Sequence, residues 1–166
     1  MEIAMDELET ELNLVGGCVC GAVRYHLTSK PLFTHCCHCT HCQAMSGSAF
    51  AVNATIEKHH VVINSGSAIS TTADVNGGSR HSIFRCKECL SPLWSQPEGR
   101  SLVSLRLGSL DKSDQIKPDA HIYLRSKLDW VRPPEEALCF DEFYDIKEVW
   151  PKDSLNRLKA ALRENK

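Results

Sequence analysis

Short runs of alternating apolar and polar residues recur between residues 16 and 145. In one of them, residues 102–107, the side chains on one face are all apolar: Val103, Leu105 and Leu107. The other face carries Leu102, Ser104 and Arg106. Further runs of this kind are residues 22–28, 48–56, 60–66, 82–86 and 120–126. A period of two is typical of half-buried β-strands, and no strand–helix–strand rhythm interrupts it. The pattern therefore predicts a mainly β fold.

The period changes near the end of the chain. In residues 153–164, Leu155, Leu158 and Leu162 stand at positions i, i+3 and i+7. This spacing predicts a short amphipathic helix, and Ser154 can cap its N-terminus. We expect its leucines to pack on the β domain, with docking of a partner as the alternative.

The chain length indicates one domain with an extension at each end. A chain of 166 residues suits a single domain that buries its own core. We assign residues 1–13 to a flexible acidic arm, residues 14–145 to the domain, and residues 146–166 to a C-terminal extension that carries the helix.

Charge and composition narrow the classes of function. Lys and Arg number 19 against 21 Asp and Glu, so the net charge is -2. Nucleic-acid binders usually have a basic face, so we expect no nucleic-acid partner. The sequence has no long apolar run and no secretory signal at its start, so we expect no membrane association and a reducing, cytoplasmic location. Nine cysteines in such a compartment indicate metal ligands or catalytic thiols rather than disulfides.

Two distant cysteine pairs fit one structural zinc site. Cys18 and Cys20 form a CxC pair, and Cys86 and Cys89 form a CxxC pair 66 positions further on. Four thiolates complete the tetrahedron that zinc prefers. The alternatives are two unrelated thiol pairs or a redox CxxC. A redox pair would need a thioredoxin-like βαβ setting, which this sequence does not predict.

A third group of ligands lies in residues 35–42, which read HCCHCTHC. Cys37, Cys39 and Cys42 have the spacing CxCxxC, so three thiolates could hold zinc and leave its fourth position open for chemistry. A closed structural site fits the spacing equally well, with a neighbouring histidine or Cys36 as fourth ligand. In a third arrangement, Cys36 replaces Cys37. The residues alone leave these alternatives open.

Six segments carry a resemblance to a known family. They are residues 17–24 (GCVCGAVR), 37–42 (CHCTHC), 46–50 (SGSAF), 84–93 (FRCKECLSPL), 107–111 (LGSLD) and 121–130 (HIYLRSKLDW). In this order they resemble the glutathione-dependent formaldehyde-activating enzyme family, or CENP-V/GFA domain, over roughly residues 14–145. The resemblance implies a single mainly β domain of the zinc-bearing β-tent (Mss-four-like) type.

The resemblance also implies a site and an activity. Its structural zinc position matches Cys18, Cys20, Cys86 and Cys89, and its catalytic zinc position matches Cys37, Cys39 and Cys42, which makes two Zn²⁺ per chain. The implied activity is that of a carbon–sulfur lyase. It would form S-(hydroxymethyl)glutathione from glutathione and formaldehyde, or a related thiol adduct. The alternative is a non-enzymatic, zinc-stabilised binding module of the CENP-V type, and a homodimer is compatible with either function.

Residues near the second cysteine group are candidates for substrate binding. The loop Ser46, Gly47 and Ser48 could donate backbone amides, while Arg125 and Trp130 could hold the substrate. Further candidates for contacts to glutathione carboxylates or for proton transfer share a basic side chain: Arg24, Arg85, Lys127, His38 and His41.

Two positions depart from the family pattern. Leu90 stands where the family often has a glycine, which permits positive φ, so we expect a different turn there. Gln43 stands where the family is often basic, which weakens the expectation that glutathione itself is the thiol.

Overall fold

The computed structural model describes residues 14–75 and 78–163. The predicted acidic arm, residues 1–13, lies outside the described residues. The strands are Val15–Gly17 (β1), Arg24–Leu27 (β2), Phe33–Cys37 (β3), Ala51–Glu57 (β4), Val61–Ser65 (β5), Ala68–Val75 (β6), Ser79–Cys86 (β7), Pro92–Pro97 (β8), Leu102–Arg106 (β9), Ala120–Ile122 (β10) and Leu138–Cys139 (β11). The α-helices are Thr40–Ser46 (α1), Ile146–Val149 (α2) and Lys152–Arg163 (α3). Short 3-10 helices occupy Lys58–His60, Leu107–Ser109, Ser113–Gln115 and Leu124–Ser126.

The strands form two sheets, which confirms the predicted mainly β, single-domain fold. The small sheet has the order β1-β2-β5, and the large sheet has the order β11-β10-β3-β4-β9-β8-β7-β6. Strand β10 pairs in parallel with β3 and with β11. The remaining strand pairs are antiparallel.

The apolar face of the central strands forms the main core. Ile56 from β4 and Val103 and Leu105 from β9 are almost completely buried. They cluster with Tyr25 of the small sheet, so the core lies between the two sheets. The predicted alternation in β9 is therefore correct on its apolar side.

The opposite face of the same strands is polar. Asn53 of β4 stands opposite Arg106 of β9, and Thr55 stands opposite Ser104. Because side chains alternate between faces, these four residues share the face that points away from the small sheet. This polar face becomes the floor of the cavity described below.

Strand β3 contains the first half of the cysteine-rich stretch and does not show an alternating pattern. All five residues of Phe33–Cys37 are buried. The strand pairs with β4 on one side and with β10 on the other, and both of its faces are covered. A strand of this kind carries no polar face from which it could be predicted.

Helix α3 confirms the predicted C-terminal helix, and it packs on the domain. Leu155 and Leu158 contact a buried cluster that includes Leu32 and Trp150, whereas Leu162 is 40% exposed and departs from the expectation. Ser154 does not cap the helix, because the helix begins two residues earlier. Its hydroxyl instead donates to the carbonyl oxygen of Leu32, 2.7 Å away.

An ion pair fastens the same helix to the sheet. The guanidinium of Arg157 donates two hydrogen bonds to the carboxylate of Glu57, at 3.0 and 2.6 Å. The Glu57 side chain is only 4% exposed, so its carboxylate is desolvated, whereas the Arg157 side chain is 30% exposed. The extension thus contacts the domain closely, and the boundary at residue 145 stays a prediction.

Every helix among the described residues is too short or too polar to cross a lipid bilayer.

Candidate metal centres

The first group of thiols, the four-thiol cluster, joins two turns that are far apart in sequence. Cys18 and Cys20 lie after β1, Cys86 ends β7, and Cys89 lies in the turn before β8. Their four sulfur atoms all lie within 4.8 Å of one another. The pairing of β6 with β7 and β8 and the short β1 to β2 connection bring the two turns together.

The sulfur spacing in this cluster fits a tetrahedral metal. Zn–S bonds of about 2.3 Å place the sulfurs of a tetrahedron roughly 3.8 Å apart. The Sγ atoms of Cys18 and Cys20 are 3.4 Å apart, and those of Cys20 and Cys86 are 3.9 Å apart. A disulfide would need about 2.05 Å, and all nine cysteines are thiols. The cluster therefore has the donors and the spacing for zinc.

Hydrogen-bond donors surround these sulfurs. The amide of Val23 donates to Cys18 Sγ at 3.2 Å, and the amide of Glu88 approaches Cys86 Sγ at 3.4 Å. The hydroxyl of Ser91 lies 3.0 Å from Cys89 Sγ, and chiefly this contact lowers the pKa of Cys89 to about 5. Donors of this kind stabilise thiolates, which are the form that binds metal.

The turn at Leu90 does not depart from the conformation that a glycine would favour. Leu90 has φ of 60°, in the left-handed region. Its amide donates to the carbonyl oxygen of Cys86 at 3.0 Å, and the side chain is more than half exposed. The expectation of a different turn is therefore wrong. The backbone has the left-handed conformation that glycine favours, and a leucine in this conformation is sterically strained.

The second group, the three-thiol cluster, comes from one continuous stretch. Cys37 ends β3, Cys39 is the N-cap of α1, and Cys42 lies in the first turn of that helix. Their sulfurs lie within 4.8 Å of one another, and those of Cys37 and Cys39 are 3.5 Å apart. The Cys39 sulfur also accepts the amide hydrogen of Cys42 at 3.3 Å, which is the capping bond of the helix.

The arrangement bears on the alternatives that the sequence left open. Cys36 is buried but is not in the cluster, as expected for the neighbour of Cys37 on a strand. Of the described residues, none adds a fourth ligand atom to the three thiols. Hydrogen bonding to Cys39, then to Cys42, and burial raise the pKa of Cys37. Three thiolates in so small a volume repel one another, so the donor set fits a cation.

A cavity of about 230 Å³ lies beside the three-thiol cluster, with Cys37 and Cys42 in its lining. Its floor is the polar sheet face defined above. His41, His81 and Tyr123 also line it. The chemistry that this arrangement offers is a set of thiols next to a small polar chamber with titratable groups.

A residue shortly before α2 also lines this cavity. Phe143 lines it and is 46% exposed. Its neighbour Tyr144 packs against the ring of His35 and accepts a hydrogen bond from the indole of Trp150 at 2.8 Å. Tyr123, which directly precedes the 3-10 helix Leu124–Ser126, also lines the cavity and has φ of 60°, an uncommon conformation for a residue other than glycine. Strain of this kind is frequent at functional sites.

The two candidate histidines for proton transfer lie in different places. His38 is fully buried, and burial lowers its pKa to about 4. Its Nε2 lies 2.9 Å from Nδ1 of His121, and it is not in the cavity lining. His41 does line the cavity. His81 lies in the same lining, and burial followed by the charge of His41 lowers its pKa.

The loop after α1 uses its polar groups internally. Gly47 is the C-cap of α1 with φ of 64°, and its amide donates to the carbonyl oxygen of Gln43 at 2.9 Å. The amide of Ser48 donates to the Ser46 hydroxyl at 3.3 Å. That hydroxyl donates to the Cys42 carbonyl oxygen at 2.7 Å. None of the three loop residues is in the cavity lining, and their role in substrate binding stays a prediction.

The other predicted substrate residues also lie outside the cavity lining. Arg125 forms a surface ion pair with Glu142, and Trp130 is 73% exposed. The remaining basic candidates bond elsewhere: Arg24 to Asp111, Arg85 to the Leu90 carbonyl, and Lys127 to the carbonyls of Leu128 and Val131. The structure does not bring these residues to the three thiols, and their roles remain untested predictions.

Arg106 and Asn53 line the cavity, and sequence reasoning did not single them out. Arg106 Nη1 donates to Asn53 Oδ1 at 2.7 Å, and Asn53 Nδ2 lies 3.9 Å from the sulfur of Cys42. The available signal was the alternation of β9, which places Arg106 on the polar face. No pattern in the sequence predicts that other parts of the chain cover this face and enclose a cavity.

Gln43 has a structural role in place of a charge. Its side-chain amide donates to two backbone carbonyl oxygens, those of His38 at 2.7 Å and Ser126 at 2.8 Å. These bonds tie α1 to the 3-10 helix Leu124–Ser126. The side chain is thus engaged with the protein and is not in the cavity lining.

A family profile and a relative agree with the sequence resemblance. The profile of the family described as "Glutathione-dependent formaldehyde-activating enzyme" matches residues 13–126. A protein of Halomonas elongata named "Putative glutathione-dependent formaldehyde-activating enzyme" is 30% identical over 143 residues, which cover 80% of this chain and 89% of that protein. A crystal structure of a Rhodobacter sphaeroides protein aligns at 16% identity with a TM-score of 0.45, covering 76% of this chain and 99% of that one.

The family match spans most of the chain and contains both thiol clusters. The chain therefore belongs to the glutathione-dependent formaldehyde-activating enzyme family.

Proposed function

We propose that this protein is a carbon–sulfur lyase that adds a thiol reversibly to a small electrophile, with glutathione and formaldehyde as the first pair to consider. One observation carries the proposal: a cluster of three thiols borders a polar cavity, and no fourth ligand comes from the described residues. Membership of the family and the name of the Halomonas relative support it.

We assign the two clusters different metal roles. Cys18, Cys20, Cys86 and Cys89 would hold a structural zinc, and Cys37, Cys39 and Cys42 would hold a catalytic one. When bound to three thiolates, zinc supplies an open coordination position that favours the deprotonated form of a substrate thiol.

The chain itself keeps the three metal-binding thiols in a protected setting. The side chains of the three-thiol cluster are at most 9% exposed. The Cys42 amide donates to the Cys39 sulfur, and Asn53 directs its side-chain amide at Cys42. Donors aimed at sulfur stabilise negative charge there and hold the side chains in place.

The reaction requires one proton to move, and the cavity holds groups for this. In the forward direction, the sulfur–carbon bond forms as the carbonyl double bond of the aldehyde becomes a single bond. The proton of the substrate thiol passes to His81, and the new alkoxide oxygen takes up a proton from the same ring to become a hydroxyl. Because burial and the charge of His41 lower the pKa of His81, that ring is neutral and able to accept a proton at pH 7.

We place the reaction in a reducing cytoplasm, since all nine cysteines are thiols.

Magnetisation-transfer NMR on equilibrated glutathione and formaldehyde tests the proposal. The exchange rate is measured without protein, with the native protein, and with Cys39→Ala. Cys139→Ala serves as the matched control, because this exposed thiol lies outside both clusters. We expect acceleration by the native protein and by the control, and only the background rate with Cys39→Ala. Equal rates in all four samples would exclude this reaction.

A further inference from the structure

The cavity beside the three-thiol cluster has one permanent charge in its described lining. That charge belongs to Arg106, and no carboxylate is among the described lining residues. The other lining groups near it are hydroxyls and an amide: Thr55, Ser95, Ser104 and Asn53. The polar floor therefore offers hydrogen bonds together with one fixed positive charge.

Arg106 forms no ion pair with the described residues. The ion pairs in the described part of the chain use Arg24, Arg125 and Arg157, each with its own carboxylate. Arg106 makes a single side-chain hydrogen bond, through Nη1 to Asn53. A guanidinium has five N–H donors. Among the described residues, Nδ1 of His38 is the only buried side-chain nitrogen or oxygen without a hydrogen-bond partner. The Arg106 donors that have no partner are therefore not buried, and they reach open space.

The register of the sheet sets the distance from this charge to the thiols. Asn53 stands directly opposite Arg106 on the neighbouring strand, and it is in turn opposite His35 on β3. Asn53 contacts Arg106 through its oxygen and approaches the Cys42 sulfur with its nitrogen. Arg106 is thus separated from the thiol cluster by one side chain. A ligand that spans both carries its anionic group only a few bonds from its sulfur.

We propose that Arg106 is a specificity-determining residue that binds a carboxylate of the thiol substrate, so that the cavity selects small acidic thiols over neutral ones. This inference rests on the proposed function for the identity of the reacting group. The planar fork of arginine suits a carboxylate, which it binds through paired N–H groups. The volume of about 230 Å³ is below the roughly 300–1,000 Å³ of pockets that enclose drug-sized ligands. A cavity of this size encloses one short acidic group of a thiol and not the whole of a peptide such as glutathione.

Two thiols of similar size test the selection. Formaldehyde exchange is measured with 3-mercaptopropionate and with 2-mercaptoethanol, and the ratio of their kcat/KM values is compared between proteins. A hydrogen-bonded charge contact of this kind corresponds to about tenfold to a hundredfold in affinity. We expect Arg106→Gln to lower the ratio by that factor. Arg106→Lys should lower it less, because lysine keeps the charge but loses the fork.

Arg100→Gln is the matched control. It removes the same charge, but Arg100 is exposed in the turn between β8 and β9 and is not in the cavity lining. The ratio should stay at the native value in this variant. A general effect of net charge would instead change it as much as Arg106→Gln does.

Equilibrium binding of propionate, an acid without sulfur, gives a readout that does not depend on the reaction. We expect propionate to shift the NMR signal of the Asn53 side-chain amide in the native protein and in Arg100→Gln, but not in Arg106→Gln. If Arg106→Gln lowers kcat/KM equally for both thiols and propionate still shifts the signal, Arg106 only supports the fold and the inference is wrong.

The proposed function and this inference fail in different ways. A native protein that accelerates neither thiol but binds propionate through Arg106 would overturn the reaction and keep the anion site. A native protein that accelerates both thiols at a ratio unchanged by Arg106→Gln would keep the reaction and overturn the anion site.

Discussion

The four-thiol cluster lies between two surface turns, whereas the three-thiol cluster lies in the interior beside a cavity. Cys20 and Cys89 of the first cluster are exposed, and all members of the second are at most 9% exposed. The four-thiol cluster supplies all four ligands of a tetrahedron, so no further ligand needs to enter it. The buried cluster lacks one ligand and borders space that a substrate can occupy. Under the proposed roles, the features that distinguish the structural centre from the reactive one are the ligand count and the neighbouring space.

The two clusters also differ in how much of the chain they join. The four-thiol cluster links residues 66 positions apart, and the three-thiol cluster spans six consecutive positions. The entropy that the unfolded chain loses when a loop is closed grows with the length of the loop. A metal in the first cluster therefore restricts the unfolded chain far more than one in the second, and we expect the first to govern stability and the second to govern activity.

Cys86→Ala tests this division with the largest expected effect. A structural zinc contributes on the order of 10 kcal/mol to a small zinc domain, which is comparable with the whole stability of a typical domain. We expect the variant to lose its cooperative unfolding transition, followed by circular dichroism, and to lose the metal of this cluster. Cys139→Ala is the control. A native melting temperature in Cys86→Ala would show that the cluster does not hold the fold together.

Metal removal should separate the clusters in time. We expect a chelator to remove metal in two phases, with activity lost in the first, because a three-thiolate centre has a position open to an incoming ligand. Protein-bound zinc and exchange activity are followed together after chelator is added. Cys39→Ala should lack the fast phase and keep the slow one. Loss of activity only in the slow phase would reverse the two assignments.

Arg157→Met tests whether stability can be changed without touching either cluster. It leaves the carboxylate of Glu57 buried without its partner, and breaking such a pair costs about 3 kcal/mol. Urea unfolding should show this loss while the metal content stays at the native value. The double variant Glu57→Leu with Arg157→Met should recover most of the loss, since no unpaired charge remains. A loss of metal in the single variant would show that helix α3 supports a cluster.

Leu90→Gly addresses the smallest effect, strain in the turn of the four-thiol cluster. Leucine at φ of 60° carries a penalty that glycine lacks, so we expect stability to rise by about 1 kcal/mol in thermal or urea unfolding. Val19→Gly is the matched control, because Val19 is 93% exposed in the turn that faces it and has no positive φ. Glycine there should lower stability by several tenths of a kcal/mol. Equal losses in both variants would show that Leu90 is not strained.

Local patterns in the sequence predicted much of this molecule. The alternation of β9 placed Val103 and Leu105 in the core, and the leucine spacing located α3. Strand β3 was missed because both of its faces are covered, so all five of its residues are buried. Ser154 was assigned to a cap because its residue type favours one, but its hydroxyl finds a partner on the domain instead.

The sequence by itself determined the chemistry of the ligands, because thiol spacing of two or three residues is a local property of the chain. It also determined that Arg106 lies on a polar strand face. Only the tertiary structure decided that Cys37 joins Cys39 and Cys42 while Cys36 does not, since strand β3 turns neighbouring side chains to opposite faces. Only the tertiary structure placed Asn53 between Arg106 and Cys42, because strand register is set by contacts between residues far apart in the chain.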